Sequence, residues 1–279
     1  MKSINQYIAE KLIIKKRKIV DYNYFPQTKK ELKNIINKRI KQEGNEVDLN
    51  DIDVSNITDM SYLFSDMEKF NGDISKWDVS NVINMFSMFN QCNKFNKPLN
   101  DWDVSNVKDM SYMFQGCKSF NQDIYNWDVS NVTNMYSMFF KCKSFNQNIS
   151  NWNVSNVNNM SSMFGGCDVF NQDISNWDVS NVTNMEYMFY GCKSFNKDIS
   201  DWNVSNVTNM CCMFYDANKF NQDISSWDVS NVKDMRCMFS KCKSFNQDIS
   251  NWNVSNVTNM ILMFNGCTIK EKHKPKFSI

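Results

Sequence analysis

Tryptophan recurs every 25 residues along most of this chain, without one insertion or deletion between copies. Ile52 holds the same place in a degenerate first copy. A strict period of roughly 20 to 50 residues is typical of repeat proteins, in which each unit buries its apolar face only against its neighbours. The spacing therefore predicts a stack of about nine coils. The marker residues are Trp77, Trp102, Trp127, Trp152, Trp177, Trp202, Trp227 and Trp252.

Each unit reads W-[DN]-V-S-N-V-x-[ND]-M-x-x-M-F-x-x-C-K-S-F-N-Q-D-I-S-x, and two structural periods are legible in it. Met135, Met138 and Phe139 fall at i, i+3 and i+4, which predicts a short amphipathic helix. The residue before this stripe is always Asn or Asp, as at Asn134, and both are favoured N-cap residues. The alternation of W-D-V at 127–129 predicts a short strand. We therefore predict an α/β repeat solenoid with a short strand and a short helix in each coil.

The hexapeptide SNVTNM occurs unchanged at Ser130, Ser180, Ser205 and Ser255. Ser and Asn supply turn chemistry, and the second Asn supplies the expected cap. We interpret the hexapeptide as the corner between strand and helix that every coil must turn.

The unit at 127–150, WDVSNVTNMYSMFFKCKSFNQNIS, resembles the repeat of BspA-like leucine-rich-repeat surface proteins. The resemblance covers about residues 50–267. It implies a right-handed β/α solenoid and a role in adhesion or protein recognition, without catalysis. No signal peptide, lipid-attachment cysteine or wall anchor is visible, so cytoplasmic synthesis is expected. The resemblance implies a cell or virion surface, and the location therefore stays open.

The chain divides into three expected parts: a basic helical N-terminal cap at 1–50, the repeat solenoid at 51–267 and a basic C-terminal tail at 268–279. The capping-box pattern at 28–31 predicts a helix over 28–43 that ends at Gly44. Solenoids need such caps because an end coil exposes its core. The segment 8–14, rich in Ile and Leu, fits either a helix or a strand.

The charge is divided between a basic head and an acidic body. Residues 1–44 carry twelve Lys/Arg against four Asp/Glu, whereas 45–267 carry fifteen against twenty-five. A nucleic-acid binder needs positive charge along its working face, so no nucleic-acid partner is expected. A solvated surface is the preferred interpretation of the basic helix face over a membrane-surface or nucleic-acid role. No apolar run approaches the roughly 18 residues that a membrane span requires.

Side chains that carry chemistry are scarce. His273 is the single histidine, no C-x-x-C pair exists, and the seven glycines form no phosphate-binding loop. We therefore expect no catalytic residues, no metal and no cofactor. Seven cysteines share one position in the unit and are expected to be buried thiols, while Cys211, Cys212 and Cys237 fall outside that row and are expected to be exposed and more reactive. The seven are Cys92, Cys117, Cys142, Cys167, Cys192, Cys242 and Cys267.

The tryptophan row could stack on sugars, but core packing is the preferred interpretation because eight exposed indoles would form too large an apolar patch.

Four positions vary between otherwise constant units, two after the first Met and two after Phe. Tyrosine with small polar residues at these positions resembles an adaptable binding surface. The alternative is that the rings only fill grooves between adjacent helices, and the sequence favours neither. The candidate binding residues are Tyr112, Tyr136, Phe140, Tyr187, Tyr190 and Tyr215, with Tyr62 and Phe86 at equivalent positions.

The last coil carries Ile261 and Leu262 where other coils carry Ser, Tyr or Cys. We expect this end to dock onto a partner or onto a second copy, giving a homo-oligomer. The favoured function is a non-enzymatic recognition or adhesion solenoid that binds an unidentified protein. The alternative is a structural or assembly component, such as a spacer in a virion or cell envelope.

Overall fold

The computed structural model describes residues 21–276. Helix α1 spans Lys29–Glu43, where the capping pattern predicts a helix. The Thr28 side chain accepts a hydrogen bond from the Glu31 amide, and the Glu31 carboxylate accepts one from the Gln27 amide at 2.8 Å. The first bond satisfies a free donor of the first turn, and the second ties the chain before the cap to the helix, an arrangement close to a capping box. Gly44 ends the helix with φ 92°, a left-handed value that favours glycine.

Helix α1 packs its apolar face onto the first coil. Leu32 and Ile36 are fully buried in the same core as the repeat, and Arg39 pairs with Asp51 at 2.9 Å. The chain just before α1 is joined to that coil, because Tyr24 forms an isolated parallel bridge with Ile52. The segment 8–14, for which the sequence favoured neither helix nor strand, lies outside the described residues.

The short helix predicted in each coil is absent, and that prediction is wrong. Within residues 21–276 the helices are α1 and a 3₁₀ turn at Glu271–His273. The methionine–phenylalanine stretch instead forms successive tight turns, in which Met138 donates to the Met135 carbonyl at 3.2 Å and Cys142 to the Phe139 carbonyl at 2.9 Å. Two residues per coil have left-handed φ values, such as 54° at Ser137, and these interrupt any right-handed helix.

The remaining amides of this stretch bind the next coil. Met135 donates to the Asn159 carbonyl at 3.1 Å, and Phe139 donates to the Met163 carbonyl at 3.0 Å. Along the turns, amides therefore alternate between a local acceptor and an acceptor in the following coil. The same pattern recurs from Met60 to Lys241, so residues 25 positions apart lie side by side.

No strand is formed at W-D-V in the coils of residues 21–276. Trp127 donates its amide to the Ile124 carbonyl at 3.2 Å, which makes a turn of this segment. Coils pair instead through single parallel bridges at the Asn or Asp before the first Met, as between Asn134 and Asn159. Asn134 does not cap a helix: its side-chain oxygen accepts from the Tyr136 amide at 3.1 Å and forms an Asx turn.

The corner hexapeptide joins each coil to the one before it. The Asn131 side-chain amide donates to the Ser105 carbonyl at 2.8 Å, and the Thr133 backbone amide donates to the Lys108 carbonyl at 3.0 Å. Val132, between them, is fully buried. These contacts give SNVTNM its structural role: its polar residues bind the preceding coil and its apolar residues enter the core.

The core runs without interruption from α1 through every coil. Phe139 stacks on Phe114 at 5.7 Å and on Phe164 at 6.0 Å between ring centroids, and Trp152 stacks parallel to Trp127 at 6.4 Å. The repeat tryptophans are at most 5% exposed, so the sugar-platform alternative is excluded for them. Each large side chain buried in this way contributes roughly 1.5–3 kcal/mol to folding.

The C-terminal tail covers one part of the last coil. The Ile249 amide donates to the His273 carbonyl at 3.0 Å, and the His273 imidazole contacts the Asn246 carbonyl at 3.0 Å. Ile269 is 7% exposed and joins the core. Phe277, a further apolar residue of the tail, lies outside the described residues.

Candidate functional site

The variable positions lie on the outer side of the successive turns. In several coils, one of the two residues after the first Met points outward and the other is buried. Where one carries a ring the other is often serine: Ser87 and Ser111 are buried, while Phe86 and Tyr112 beside them are partly exposed. The coil therefore places a large side chain outside and a small one beneath it.

Four rings of consecutive coils form a continuous row. The centroid of Tyr62 lies 5.1 Å from that of Phe86, Phe86 lies 5.5 Å from Tyr112, and Tyr112 lies 4.7 Å from Tyr136. Every pair meets edge to face, an arrangement that favours aromatic contact. We call Tyr62, Phe86, Tyr112 and Tyr136 the aromatic row.

A second group of rings lies further along the same face. Tyr187 meets Tyr190 at 5.5 Å, and Tyr190 stacks on Tyr215 at 5.0 Å. The Lys241 ammonium lies 5.0 Å from the Tyr215 ring centroid. We call Tyr187, Tyr190 and Tyr215 the tyrosine cluster.

A coil of small residues separates the two groups. Ser161 and Ser162 occupy its first two variable positions, and Gly165 occupies the third. The Phe140 ring leans over this coil, since a Cβ on Gly165 would lie 2.8 Å from it. Phe140 is thus partly buried between coils, and the candidate residues form two surfaces rather than one.

Two phenols of this face, those of Tyr112 and Tyr187, have a raised pKa. Burial and, to a smaller extent, a hydrogen bond with Tyr136 together raise the pKa of Tyr112 to about 12. Burial and a hydrogen bond to Cys212 likewise raise the pKa of Tyr187. At Tyr112 and Tyr187 the face therefore offers ring surface with a neutral hydroxyl group, which can donate and accept hydrogen bonds.

The cysteine row consists of thiols without disulfides, and six of its seven members are fully buried. The Cys117 thiol donates to the Phe89 carbonyl at 3.0 Å, and equivalent bonds recur along the row. Burial raises the pKa of the Cys142 thiol well above its ordinary value. Cys267, in the last coil, is only partly buried.

The expectation that Cys211 and Cys212 are exposed is wrong. They are 1% and 6% exposed, and their sulfur atoms lie 3.6 Å apart. The Arg236 guanidinium covers Cys211, with Nη2 3.2 Å from the sulfur. Burial raises the pKa of Cys211 even though Arg236 acts in the opposite direction. The contact follows from the 25-residue period, which places position 236 beside position 211, and this spacing was the signal for it in the sequence.

Ile261 and Leu262 lie on the surface, as the sequence predicts for the last coil. They are 64% and 57% exposed, and Met260 next to them is 41% exposed.

Among residues 21–276, no helix is long and apolar enough to cross a membrane.

Comparison with known proteins identifies a family but no closer relative. No curated protein and no solved structure matches the chain. One family model matches three overlapping stretches, at 30–139, 122–204 and 174–277, which together span most of the chain. Overlapping matches of this kind fit a repeat sequence. The chain belongs to the family described as Mycoplasma proteins of unknown function, DUF285.

Proposed function

We propose that this chain is a right-handed, leucine-rich-repeat-like solenoid of the BspA-like type. We further propose that it is a non-enzymatic module that recognises a protein partner, as in adhesion. Its binding surface would be the aromatic row together with the tyrosine cluster. The stacking of coils at a constant 25-residue offset supports the solenoid. The family is described as of unknown function, so the recognition function rests on the surface of this chain.

The aromatic row carries the functional proposal. Its rings occupy positions that vary, while the methionine and phenylalanine positions of the same turns are nearly constant and buried. Tyrosine gives a large contact area at a low cost in side-chain entropy, and rings of this kind are enriched in binding surfaces. Tyr62 is 55% exposed and the neighbouring rings are partly exposed, so a partner can cover them.

A spacer role is the second candidate, and the ring contacts favour it. The 4.7 Å contact between Tyr112 and Tyr136 already buries part of each ring, so the row also helps to hold adjacent coils together. A rod in a virion or cell envelope would need this stiffness and no partner at the rings. The two functions differ in what the loss of the rings does.

The repeat itself provides the substitution that separates them. One coil carries Ser161 and Ser162 in place of a ring, so serine is compatible with the coil. A variant with Phe86→Ser, Tyr112→Ser and Tyr136→Ser should remain folded. Purified wild type and variant are used to capture partners from the native cells, with Ile83→Ser as a control that removes an exposed apolar side chain elsewhere.

The proposal predicts that one protein is captured by wild type and by the Ile83→Ser control but is lost with the triple variant. Binding is then repeated with that purified partner, and the affinity should fall at least tenfold while the melting temperature changes little. Equal capture by all three proteins would contradict recognition through the aromatic row and favour the spacer.

A further inference from the structure

The peptide groups of the turn stretch that bind between coils all have the same direction along the stack. In each coil, the amide groups of alternate residues donate to the following coil. The carbonyl group of the residue just before each of these donors accepts from the preceding coil. For the last pair of coils, the donors are Met235, Cys237, Phe239 and Lys241 and the acceptors are Asn259, Ile261, Met263 and Asn265. The stack therefore has an acceptor end and a donor end, as a helix does.

The acceptor end is covered by helix α1. The Leu63 carbonyl stands where the Met88 carbonyl stands in the next coil, and it accepts from the Lys33 ammonium. The Lys29 ammonium reaches the Ser61 hydroxyl and the Asp59 carboxylate, each at 2.7 Å. Positive charge from α1 thus lies over the row of carbonyl groups.

The donor end has no such cover among the described residues. The amides at the donor positions of the last coil have no acceptor within 21–276, and the tail instead binds Asn246 and Ile249. One apolar ring, that of Phe264, lies within the row, and the Lys274 ammonium is 5.6 Å from its centroid. These donor amides belong to Met260, Leu262, Phe264 and Gly266, and we call these residues together with Ile261 the donor edge.

We propose that the donor edge binds a separate polypeptide that continues the stack, namely a repeat coil of this type from another protein whose first coil is not covered by a helix. Such a coil presents carbonyl groups at alternate residues and a phenylalanine ring to stack on Phe264. This mode of recognition is the counterpart of strand addition at a sheet edge, in which main-chain hydrogen bonds provide the affinity.

A second copy of this chain fits the donor edge poorly. Two copies joined tail to tail would set donors against donors, and a head-to-tail contact would meet α1 with Lys29 and Lys33. The backbone polarity therefore argues against the homo-oligomer expected from Ile261 and Leu262 alone. The donor edge is separate from the aromatic row, so neither proposal depends on the other.

A synthetic peptide with the sequence of residues 130–148 provides the probe. Its residues 134, 136, 138 and 140 carry the carbonyl groups that accept from the preceding coil in this protein. Fluorescence anisotropy measures its binding to the full chain, with a peptide of scrambled order as control. Ile261→Asp with Leu262→Asp should weaken binding at least tenfold, whereas Ile83→Asp and the triple serine variant of the aromatic row should not.

Hydrogen exchange of the wild-type protein shows where the peptide binds and does not depend on any variant. Saturation with the peptide should slow exchange at the four donor-edge amides at least tenfold. The proposal is overturned by absence of binding up to about 1 mM peptide, a Kd that corresponds to about 4 kcal/mol. It is also overturned by binding that leaves the four amides unprotected, or by a wild-type dimer that protects them without peptide.

Discussion

The indole nitrogen of Trp152 donates a 3.1 Å hydrogen bond to the carbonyl oxygen of Ile124, in the preceding coil. The same bond recurs from Trp77 to Trp252, so each tryptophan both fills the core and donates a second hydrogen bond to a carbonyl that also accepts a backbone amide of its own coil. Because the side chain has two roles, two substitutions at one position can separate them.

We predict that Trp152→Ala lowers the free energy of unfolding by about 3–5 kcal/mol, as large-to-small core changes do. Trp152→Phe keeps most of the apolar ring but removes the indole donor, while the Ile124 carbonyl still accepts from the Trp127 amide. The loss of one intramolecular hydrogen bond costs about 0.5–1.5 kcal/mol, so this variant should be the milder one. Urea denaturation measures both, and a Trp152→Ala protein as stable as wild type would contradict the buried register.

Thiol accessibility gives a second prediction. A thiol reagent at pH 8 should modify Cys237 first in the native protein, because it is partly exposed and is not a member of the buried row. Cys142 and its buried counterparts should react only on unfolding, since burial raises their pKa and excludes the reagent. Mass spectrometry of the modified protein tests this, and rapid labelling of Cys142 in folded protein would be incompatible with it.

Cys211 and Cys212 should also react slowly, in contrast to what their position in the sequence suggests. Arg236→Ala removes the guanidinium that covers Cys211 and should speed its modification relative to Cys142 in the same sample. Unchanged labelling of Cys211 in this variant would show that the covering contact with Arg236 does not limit access.

At positions with a left-handed φ, glycine should be more stable than other residues. Gly191 has φ 65°, and no atom lies within 3.9 Å of a Cβ placed there, so Gly191→Ala adds backbone strain without a clash. We expect it to lower the free energy of unfolding by about 1–2 kcal/mol. Lys141 holds the same position with φ 61°, and Lys141→Gly should leave stability unchanged or raise it. A neutral Gly191→Ala would contradict the turn geometry.

Acid should weaken the fold through the aspartates after tryptophan. The Asp128 carboxylate accepts from the Ser130 amide at 3.0 Å, and its hydrogen bonds with Ser130 lower the pKa of Asp128; Asp178 and Asp228 behave alike. A carboxyl group whose pKa is lower in the folded state stabilises the native protein when the pH is above its unfolded-state pKa of about 3.9. This stabilisation is lost as the pH falls through the folded-state pKa.

The repeat again provides the matched substitution, because Asn153 occupies the equivalent place and makes the same turn. The triple variant Asp128→Asn, Asp178→Asn and Asp228→Asn should lose less stability than wild type between pH 6 and pH 3. Urea midpoints at the two pH values decide it. Equal losses in both proteins would assign the acid sensitivity to other carboxylates.

The sequence was sufficient to predict the period, the tryptophan and phenylalanine core and the capped helix α1, since each rests on spacing or on a local capping pattern. The secondary structure inside a coil was not predictable in the same way. Apolar residues at i, i+3 and i+4, such as Met135, Met138 and Phe139, also fit successive turns, and only backbone φ distinguishes the two. Glycine at positions such as Gly191 was the available signal, but Lys141 at the same position masks it.

The candidate surface was predictable only in part. Variation identified the ring positions, because the apolar residues that face the core are nearly constant. It could not show that Tyr112 and Tyr136 contact each other while Phe140 leans away over Gly165, since this depends on which side chain of each pair faces outward. The direction of the peptide groups, on which the donor edge depends, leaves no trace in the sequence.

Amide hydrogen exchange of the isolated protein tests most directly whether each coil is completed by the next. The amides of Met235 and Phe239 donate to the last coil, whereas those of Met260 and Phe264 occupy equivalent positions with no acceptor in 21–276. We predict slow exchange for the first pair and exchange near the unstructured rate for the second. Equal protection of the two pairs would contradict the stacking of coils through alternate amides.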